Sequence, residues 1–544
     1  MSTDTAATLG HRFIATAKRC WSSLCMTDAS GRSLTFGETL VASRLLAQVV
    51  SRQCASDVHV GLLVPASVGG ALANNAVALA GKTAVNLNFT AGREAMQHAV
   101  ERCDIRTILT SRQFLAKASI EPMDGMVYLE DLLGGMSSAA KAWTFAVARI
   151  LPASALATLW IASTASERNA AVIFSSGSTG IPKGVMLSHH NIASNIESID
   201  ALFKTRPSDV LMGVLPFFHS FGYTATIWLP LLAGFAVAYH PNPMDAKTIG
   251  ELAGRHKATL LIATPTFCSA YVRKCEREQF AHLRIAVVGA EKLREPIARA
   301  FADRFGIVLI EGYGCTEMAP GVAINVVPTA DGRDVEPGRA GSVGRTLPGI
   351  DARVVDTVTG EGPLVDQEGL LLLRGPNLMV GYIGEESRTR EVIRDGWYVT
   401  GDIARIDHDG FITITDRLAR FSKIAGEMVP HMKVEDTINA LVSQDSASAV
   451  TGIPDASKGE RLVAFYTDRS LKPAEIWDQL CKAGLPRLWI PKREDIHYIE
   501  AIPTLGTGKM DLKGVRTMAL AFDEDPVEQS EQTGVQGNTT SPHR

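Results

Sequence analysis

Along the opening third of the chain, short apolar runs alternate with amphipathic ones. Residues 34–50 place apolar side chains at helical spacing, whereas 58–65, read VHVGLLVP, is a compact apolar run of strand type. Residues 71–80 then predict a helix, 83–86 a strand, 93–102 a polar helix and 106–109 a further strand. The alternation recurs with strands at 170–174, 210–215, 258–263, 283–288 and 306–309, and helices at 191–201 and 266–274. This order predicts a layered α/β body, because each sheet must cover its apolar faces with helices. No fixed repeat period runs through the pattern, which disfavours a solenoid or propeller.

Beyond Gly341 the texture changes to short β segments at 352–356, 369–374 and, after the Asp407-His408-Asp409-Gly410 turn, 411–415. A compact tail domain follows, with helices at 434–441 and 473–483 and strands at 449–452 and 462–466. With 544 residues the chain exceeds what one hydrophobic core holds. The expected fold class is α/β: a large body of several subdomains over 1–415 and a smaller C-terminal α+β domain over 416–521. Residues 522–544, almost free of apolar side chains, read as a disordered tail.

Composition narrows the function classes. The 54 basic and 58 acidic side chains leave a formal charge of −4, too balanced for a dominant nucleic-acid footprint. The 8 cysteines are scattered without close metal-ligand spacing, so reduced thiols are expected and a structural zinc site is not. The first residues, MSTDTAATLGHRF, lack the charged-then-apolar plan of a signal peptide. A cytoplasmic setting is expected, with peripheral contact to the inner membrane left open. The uncharged run 221–239 (FGYTATIWLPLLAGFAVAY) is long enough to span a bilayer, but Pro230 and Gly234 interrupt it. It reads as buried core or the wall of an acyl pocket.

The strongest local signal follows the strand at 170–174. There Ser175, Ser176, Gly177, Ser178, Thr179 and Gly180 lead through Ile181 and Pro182 to Lys183 and Gly184. Glycines allow a tight backbone path, and the hydroxyls and loop N–H groups suit phosphate oxygens. Lys183 brings a flexible ammonium to neutralise phosphate charge. A Gly-Lys pair followed by Ser or Thr is absent, which removes the main support for a Walker-type kinase or GTPase. Further along, Glu311-Gly312-Tyr313-Gly314-Cys315-Thr316-Glu317 offers an aromatic face for a purine and a carboxylate for Mg2+. No histidine pairs with Cys315 in the sequence, so packing is its expected role.

In order, the segments SSGSTGIPKG, EGYGCTE, YVTGD, DRLARFSKIAGE and GTGK resemble the adenylate-forming superfamily of acyl-CoA synthetases, luciferases and nonribosomal adenylation domains. The resemblance covers roughly residues 30–520. It implies ATP as cosubstrate with Mg2+ and a small domain that moves between two half-reactions. Tyr313 would then stack near adenine, with Gly289, Ala290 and Glu291 in the nucleotide pocket. Thr316 would contact the α-phosphate, Glu317 magnesium, Asp402 both ribose hydroxyls, and Arg417 the ribose or phosphate. Lys509 would approach the acid carboxylate and α-phosphate, where a cation stabilises the charge that develops as pyrophosphate leaves. His219, in LPFFHSFG, resembles the histidine beside the acyl entrance. Ala419 departs from the Asp or Lys that many relatives carry at the pivot, and Lys423 and Gly426 become candidates for the thioester-forming face.

LPFFHSFG, VVGAEKL, EGYGCTE and RFSKIAGEMV resemble more closely the acyl-[acyl-carrier-protein] synthetase portion of a fused bacterial acyltransferase. That likeness implies a long-chain fatty acid as substrate and holo-acyl carrier protein as thiol partner, with Arg417, Arg420 and Lys423 facing the acidic carrier. CoA is the alternative acceptor. The same segments also admit a secondary-metabolite adenylating enzyme or a non-catalytic acyl- or nucleotide-binding scaffold. The chain has no room for the acyltransferase and transporter-like regions of the fused protein, so direct transfer to a lysophospholipid is not expected.

Overall fold

The computed structural model describes residues 7–135, 137–161, 166–175, 182–329, 335–425, 427–443, 446–455, 457–504 and 510–524. The chain divides into two compact units, Met1–Thr415 and Asp416–Arg544. The fold is α/β, a large mixed body with a smaller C-terminal α+β domain.

In the first unit one sheet runs parallel through Leu24–Asp28, Ala236–Tyr239, Val210–Gly213, Leu260–Ala263, Ile285–Val288 and Leu309–Gly314. Antiparallel strands flank it: Ser33–Thr35 at one edge, Gly321–Ile324 and Arg345–Thr346 at the other. A second sheet is parallel across Met126–Tyr128, Ile108–Thr110, His59–Leu63, Thr83–Asn86 and Asn169–Ser175. It continues antiparallel through Lys183–Ser188 to Gly381–Tyr382. Within Ile285–Val288, Ile285 and Val287 enter one apolar core while Ala286 and Val288 enter another. Burial on both faces is why such strands read as unbroken apolar runs.

Several expected elements shift for local reasons. The helix expected from 34 is Phe36–Gln53, because Thr35 and Glu38 form a capping box at its start. The strand expected at 306–309 is instead Leu309–Gly314. Gly306, at φ +75, caps the preceding helix Glu295–Phe305, so the Glu311–Gly314 motif is itself strand. The uncharged run resolves into a π-helix, Tyr223–Trp228, a helix, Leu229–Ala233, and the strand Ala236–Tyr239. Gly234, at φ +96, stops the helix, and the run from Tyr223 to Leu232 is buried. Among the described residues no helix is long and apolar enough to cross a membrane. Helices Leu9–Arg19, Ser138–Ile150 and Ala153–Trp160 fall where the pattern assigned nothing.

The second unit is built on the antiparallel pair Ser448–Asp455 and Gly459–Tyr466, joined by the hairpin Phe421–Ile424/Glu427–Pro430 and by Ile496–Tyr498. Val450, Leu462 and Ala464 pack with Val434, Ile438, Ile476 and Leu480 of helices His431–Asn439 and Pro473–Lys482. The alternate side chains Ala449, Val463 and Phe465 meet Val515 and Ala519 of helix Leu512–Glu524. Burying each larger aliphatic side chain contributes about 1.5–3 kcal/mol. That last helix reaches beyond 521, where the tail was expected to begin; residues 525–544 lie outside the described residues.

Candidate functional site

The strand Leu309–Gly314 feeds a short 3-10 turn, Thr316–Met318, that carries two of the expected site residues. A Cβ at Gly314 would stand 2.1 Å from the Pro320 carbonyl oxygen, so only glycine permits the fold-back. The Cys315 N–H donates to that oxygen at 3.0 Å and closes the turn. Thr316 Oγ1 lies 3.1 Å from Ser220 Oγ, and the Thr224 hydroxyl donates to the Ala319 carbonyl at 2.9 Å. The segment after His219 is thereby stitched to the Thr316 turn.

Glu317 is held from two sides. Its carbonyl accepts the Met379 N–H at 2.7 Å, and its Oε1 accepts the Tyr382 hydroxyl at 2.8 Å. Burial, and then the Glu317 charge, push the Tyr382 hydroxyl pKa upward, which keeps it a donor. Tyr398, buried beside Glu317, Cys315, Tyr382 and Tyr313, is raised for the same reasons. The Lys183 ammonium sits 5.3 Å from the centre of the Tyr382 ring. Register places Lys183 there, since it pairs with Ser175 across the two strands that bound the Ser/Gly loop. Partial burial, then Arg388, lower its pKa, while Glu317 and Glu385 oppose the shift.

The Tyr313 hydroxyl donates to the carboxylate of Asp402, which is 3% exposed on strand Trp397–Ile406. Gly289 follows strand Ile285–Val288, and a Cβ there would meet the Gly312 carbonyl oxygen at 3.2 Å and the Phe221 ring at 3.5 Å. Ala290 is held at φ +71, a left-handed conformation that costs a non-glycine residue on the order of 1 kcal/mol. Glu291 Oε2 accepts the Thr266 hydroxyl at 2.6 Å. His219 lies beside Phe218 with ring centres 4.8 Å apart, and Phe218, Phe89 and Phe114 continue as a file of edge-to-face rings at 5.0 Å spacing.

In the first unit Lys183 and Glu317 therefore meet on Tyr382, Thr316 meets Ser220, and Tyr313 meets Asp402. Ser176, Gly177, Ser178, Thr179, Gly180, Gly426 and Lys509 lie outside the described residues. Arg417 belongs to the second unit, where its backbone N–H donates to Asp416 Oδ1 at 2.7 Å. Sequence reasoning passed over Ser220, Tyr382 and Tyr398. Tyr382 sits in the two-residue strand Gly381–Tyr382, too short to carry a periodic signal. Among the described residues no group of three or more His, Cys, Asp or Glu side chains could hold a metal ion. The donor set suits Mg2+, which takes one or two carboxylates and completes its shell with phosphate oxygens and water; Glu317 would be that carboxylate. Among the described residues no cysteine is in a disulfide.

The basic residues expected to face a carrier protein are not a uniform surface. Arg420 is largely buried in an ion pair with Glu435, whose Oε1 also accepts the Val450 N–H at 2.7 Å. Its charge is spent inside the second unit.

The AMP-binding enzyme family profile matches residues 13–383. The chain is similar to the probable 4-coumarate–CoA ligase 3 of Dictyostelium discoideum, at 32% identity over 359 residues, 64% of this chain and 63% of that protein. It is also similar to the long-chain-fatty-acid–CoA ligase of Salmonella typhimurium, at 29% identity over 354 residues, 64% of this chain and 61% of that protein. The match thus spans less than two thirds of either relative's own length. Among solved structures, ATP-bound MatB from Rhodopseudomonas palustris superposes with a TM-score of 0.79 at 25% identity, over 95% of this chain and 99% of that one.

These findings correct four expectations: kinship with the acyl-[acyl-carrier-protein] synthetases, transfer to acyl carrier protein, a fatty acid–[acyl-carrier-protein] ligase activity, and holo-acyl carrier protein as partner. Both curated relatives are CoA ligases by name. The carrier expectation leaned on short segments and on a basic face, and Arg420 is internally neutralised.

Proposed function

The chain belongs to the AMP-binding enzyme family, and from that premise we propose that it activates a carboxylic acid with an apolar tail and passes the acyl group to CoA. ATP with Mg2+ is the cosubstrate requirement that membership brings. The observation that carries the reading is the convergence of Lys183 and Glu317 on Tyr382 next to the Thr316 turn. It sets a cation, a hydroxyl and a carboxylate together, a combination that suits phosphoryl chemistry with Glu317 as the proposed Mg2+ ligand.

In the first half-reaction an acid oxygen attacks the α-phosphorus, the bond to the β-phosphate breaks, and pyrophosphate departs with its electron pair. Lys183 offsets phosphate charge, Glu317 would hold Mg2+, and Tyr313 and Asp402 orient the nucleoside. Lys509, by the resemblance of its GTGK segment, is the proposed cation for this step. In the second half-reaction the CoA sulfur attacks the acyl carbonyl, its proton passes to solvent, and AMP leaves. The file Phe89, Phe114 and Phe218 beside His219 supports an apolar tail. The cytoplasm, which supplies both ATP and CoA, is the proposed setting.

Acid-dependent ATP–pyrophosphate exchange across acids of graded length, followed by thioester formation with CoA, tests both halves. Exchange should need both Mg2+ and an acid. Absence of exchange with every acid, in folded protein supplied with Mg2+, would remove the adenylation reading. Exchange without CoA thioester would remove the acceptor.

A further inference from the structure

Among the helices of the first unit that carry no acidic residue are Leu9–Arg19 (LGHRFIATAKR), Ser138–Ile150 (SAAKAWTFAVARI) and Ala153–Trp160 (ASALATLW). The sequence has no Asp or Glu from Leu132 to Ser166. Lys18 Nζ donates to the carbonyls of Ala148 at 2.8 Å and Arg149 at 3.0 Å, which ties the first helix to the second. Lys18 and Arg149 both lie over the Trp21 ring, at 5.4 and 5.5 Å, and Phe145 meets the same ring at 5.7 Å.

The inward side of this cluster is complete, since Thr144, Ala148, Leu156 and Trp160 are buried. Its outward side breaks the usual pattern. Trp143 is 72% exposed, Ile150 78%, Leu159 62% and Phe145 46%. Trp143 and Ile150, seven positions apart, share one flank of the exposed arc of Ser138–Ile150, and Phe145 and Arg149, four apart, share the other. Exposed apolar side chains scattered singly mean little, but a cluster of large ones rimmed by cations marks a contact surface.

The charge around the cluster is of one sign. Lys18 and Arg149 lie beside Trp21 and Lys141 is on the same helix as Trp143, and partial burial, then Arg149, lower the Lys18 pKa. On the adjoining helix Phe36–Gln53, Glu38 is engaged in the Thr35 capping box and Arg44 lies over Trp160. Glu130 and Asp131, just before the acid-free stretch, are held by Ser111 and Arg112.

We propose that this face docks on an anionic phospholipid bilayer. Trp143, Phe145 and Ile150 enter the headgroup–acyl boundary, and Lys18, Lys141 and Arg149 lie on lipid phosphates. The inference is independent of which acid is activated.

The test is co-sedimentation of the full chain with phosphatidylcholine vesicles prepared with and without phosphatidylglycerol. Binding is expected only with phosphatidylglycerol and should weaken several-fold as salt is raised. Lys141→Glu should lower partitioning by more than about fivefold, the loss expected from removing one juxtamembrane cation. Trp143→Ser with Ile150→Ser should abolish most binding while leaving exchange with a short, water-soluble acid unchanged. Both side chains are outward, so a melting curve matching wild type is expected for that variant. No binding to phosphatidylglycerol vesicles, or undiminished binding by both variants, would overturn the proposal. So would a concentration-dependent dimer in light scattering that the same substitutions abolish in a protein that ignores vesicles, because the face would then belong to a second copy.

Discussion

The Tyr382 hydroxyl donates to Glu317 Oε1 at 2.8 Å while the same ring lies under the Lys183 ammonium at 5.3 Å. One tyrosine thus positions both an anion and a cation of the candidate site. Tyr382→Phe keeps the ring and removes only the donor. A hydrogen bond to a charged acceptor is worth about 1.5–3 kcal/mol. The Mg2+ concentration for half-maximal exchange should therefore rise about tenfold or more, with the melting temperature little changed. Unaltered Mg2+ dependence would separate Tyr382 from the metal.

Asp402 accepts the Tyr313 hydroxyl and is nearly closed to solvent. If its carboxylate also receives ribose hydroxyls, Asp402→Asn should raise the KM for ATP about tenfold, the scale of a charge-assisted bond. Wild type should discriminate against 2′-deoxy-ATP and the variant should not. Equal discrimination by both proteins would assign Asp402 to holding Tyr313 alone.

Gly314→Ala places a Cβ against the Pro320 carbonyl oxygen, at a distance no real contact shows. The turn bearing Thr316 and Glu317 must then open. Exchange should fall by at least about a hundredfold, while thermal unfolding registers a loss on the order of 2 kcal/mol. An active, unshifted Gly314→Ala protein would show that the turn does not present those side chains.

Asp416 has a pKa raised to about 7, by burial first. An unfolded aspartate releases its proton near about 4. Between these values the folded chain binds more protons than the unfolded one, so this residue's contribution to stability falls as pH rises from about 4 to 7. Asp416→Asn removes that loss. The variant's gain in Tm over wild type should grow from pH 5 to pH 8, measured on the full chain. His431, whose buried ring has a pKa lowered to about 3, acts in the opposite sense below its ordinary value, but it is present in both proteins and cancels in the difference. A Tm difference independent of pH would reject the assignment.

The parallel strands were legible because both faces are buried, as at Ile285–Val288, where all four side chains are apolar. Ser138–Ile150 was not. Its inward face is built from Thr144 and Ala148 while Trp143 and Ile150 point out, so apolarity there does not report burial. In the site, contiguous motifs announced Thr316 and Glu317, whereas Tyr382 reaches Glu317 from a distant two-residue strand. Arg420 misled for a related reason. A cation can be read from the chain, but its buried neutralisation by Glu435 on another element is a matter of tertiary packing.

The π-helix Tyr223–Trp228 lies between the Ser220–Thr316 contact and the core-filling Leu229–Ala233. A π-turn holds one more residue than the α-turn it replaces, and one residue of helix corresponds to a rotation of about 100°. Removing one position here would let the π-turn relax to an α-turn with Ser220 still facing Thr316 and Leu231 and Leu232 still facing the core, whereas one residue more would turn those leucines by about 100°. In evolution or in mutant libraries this stretch should consequently accept the loss of one residue more readily than the gain of one.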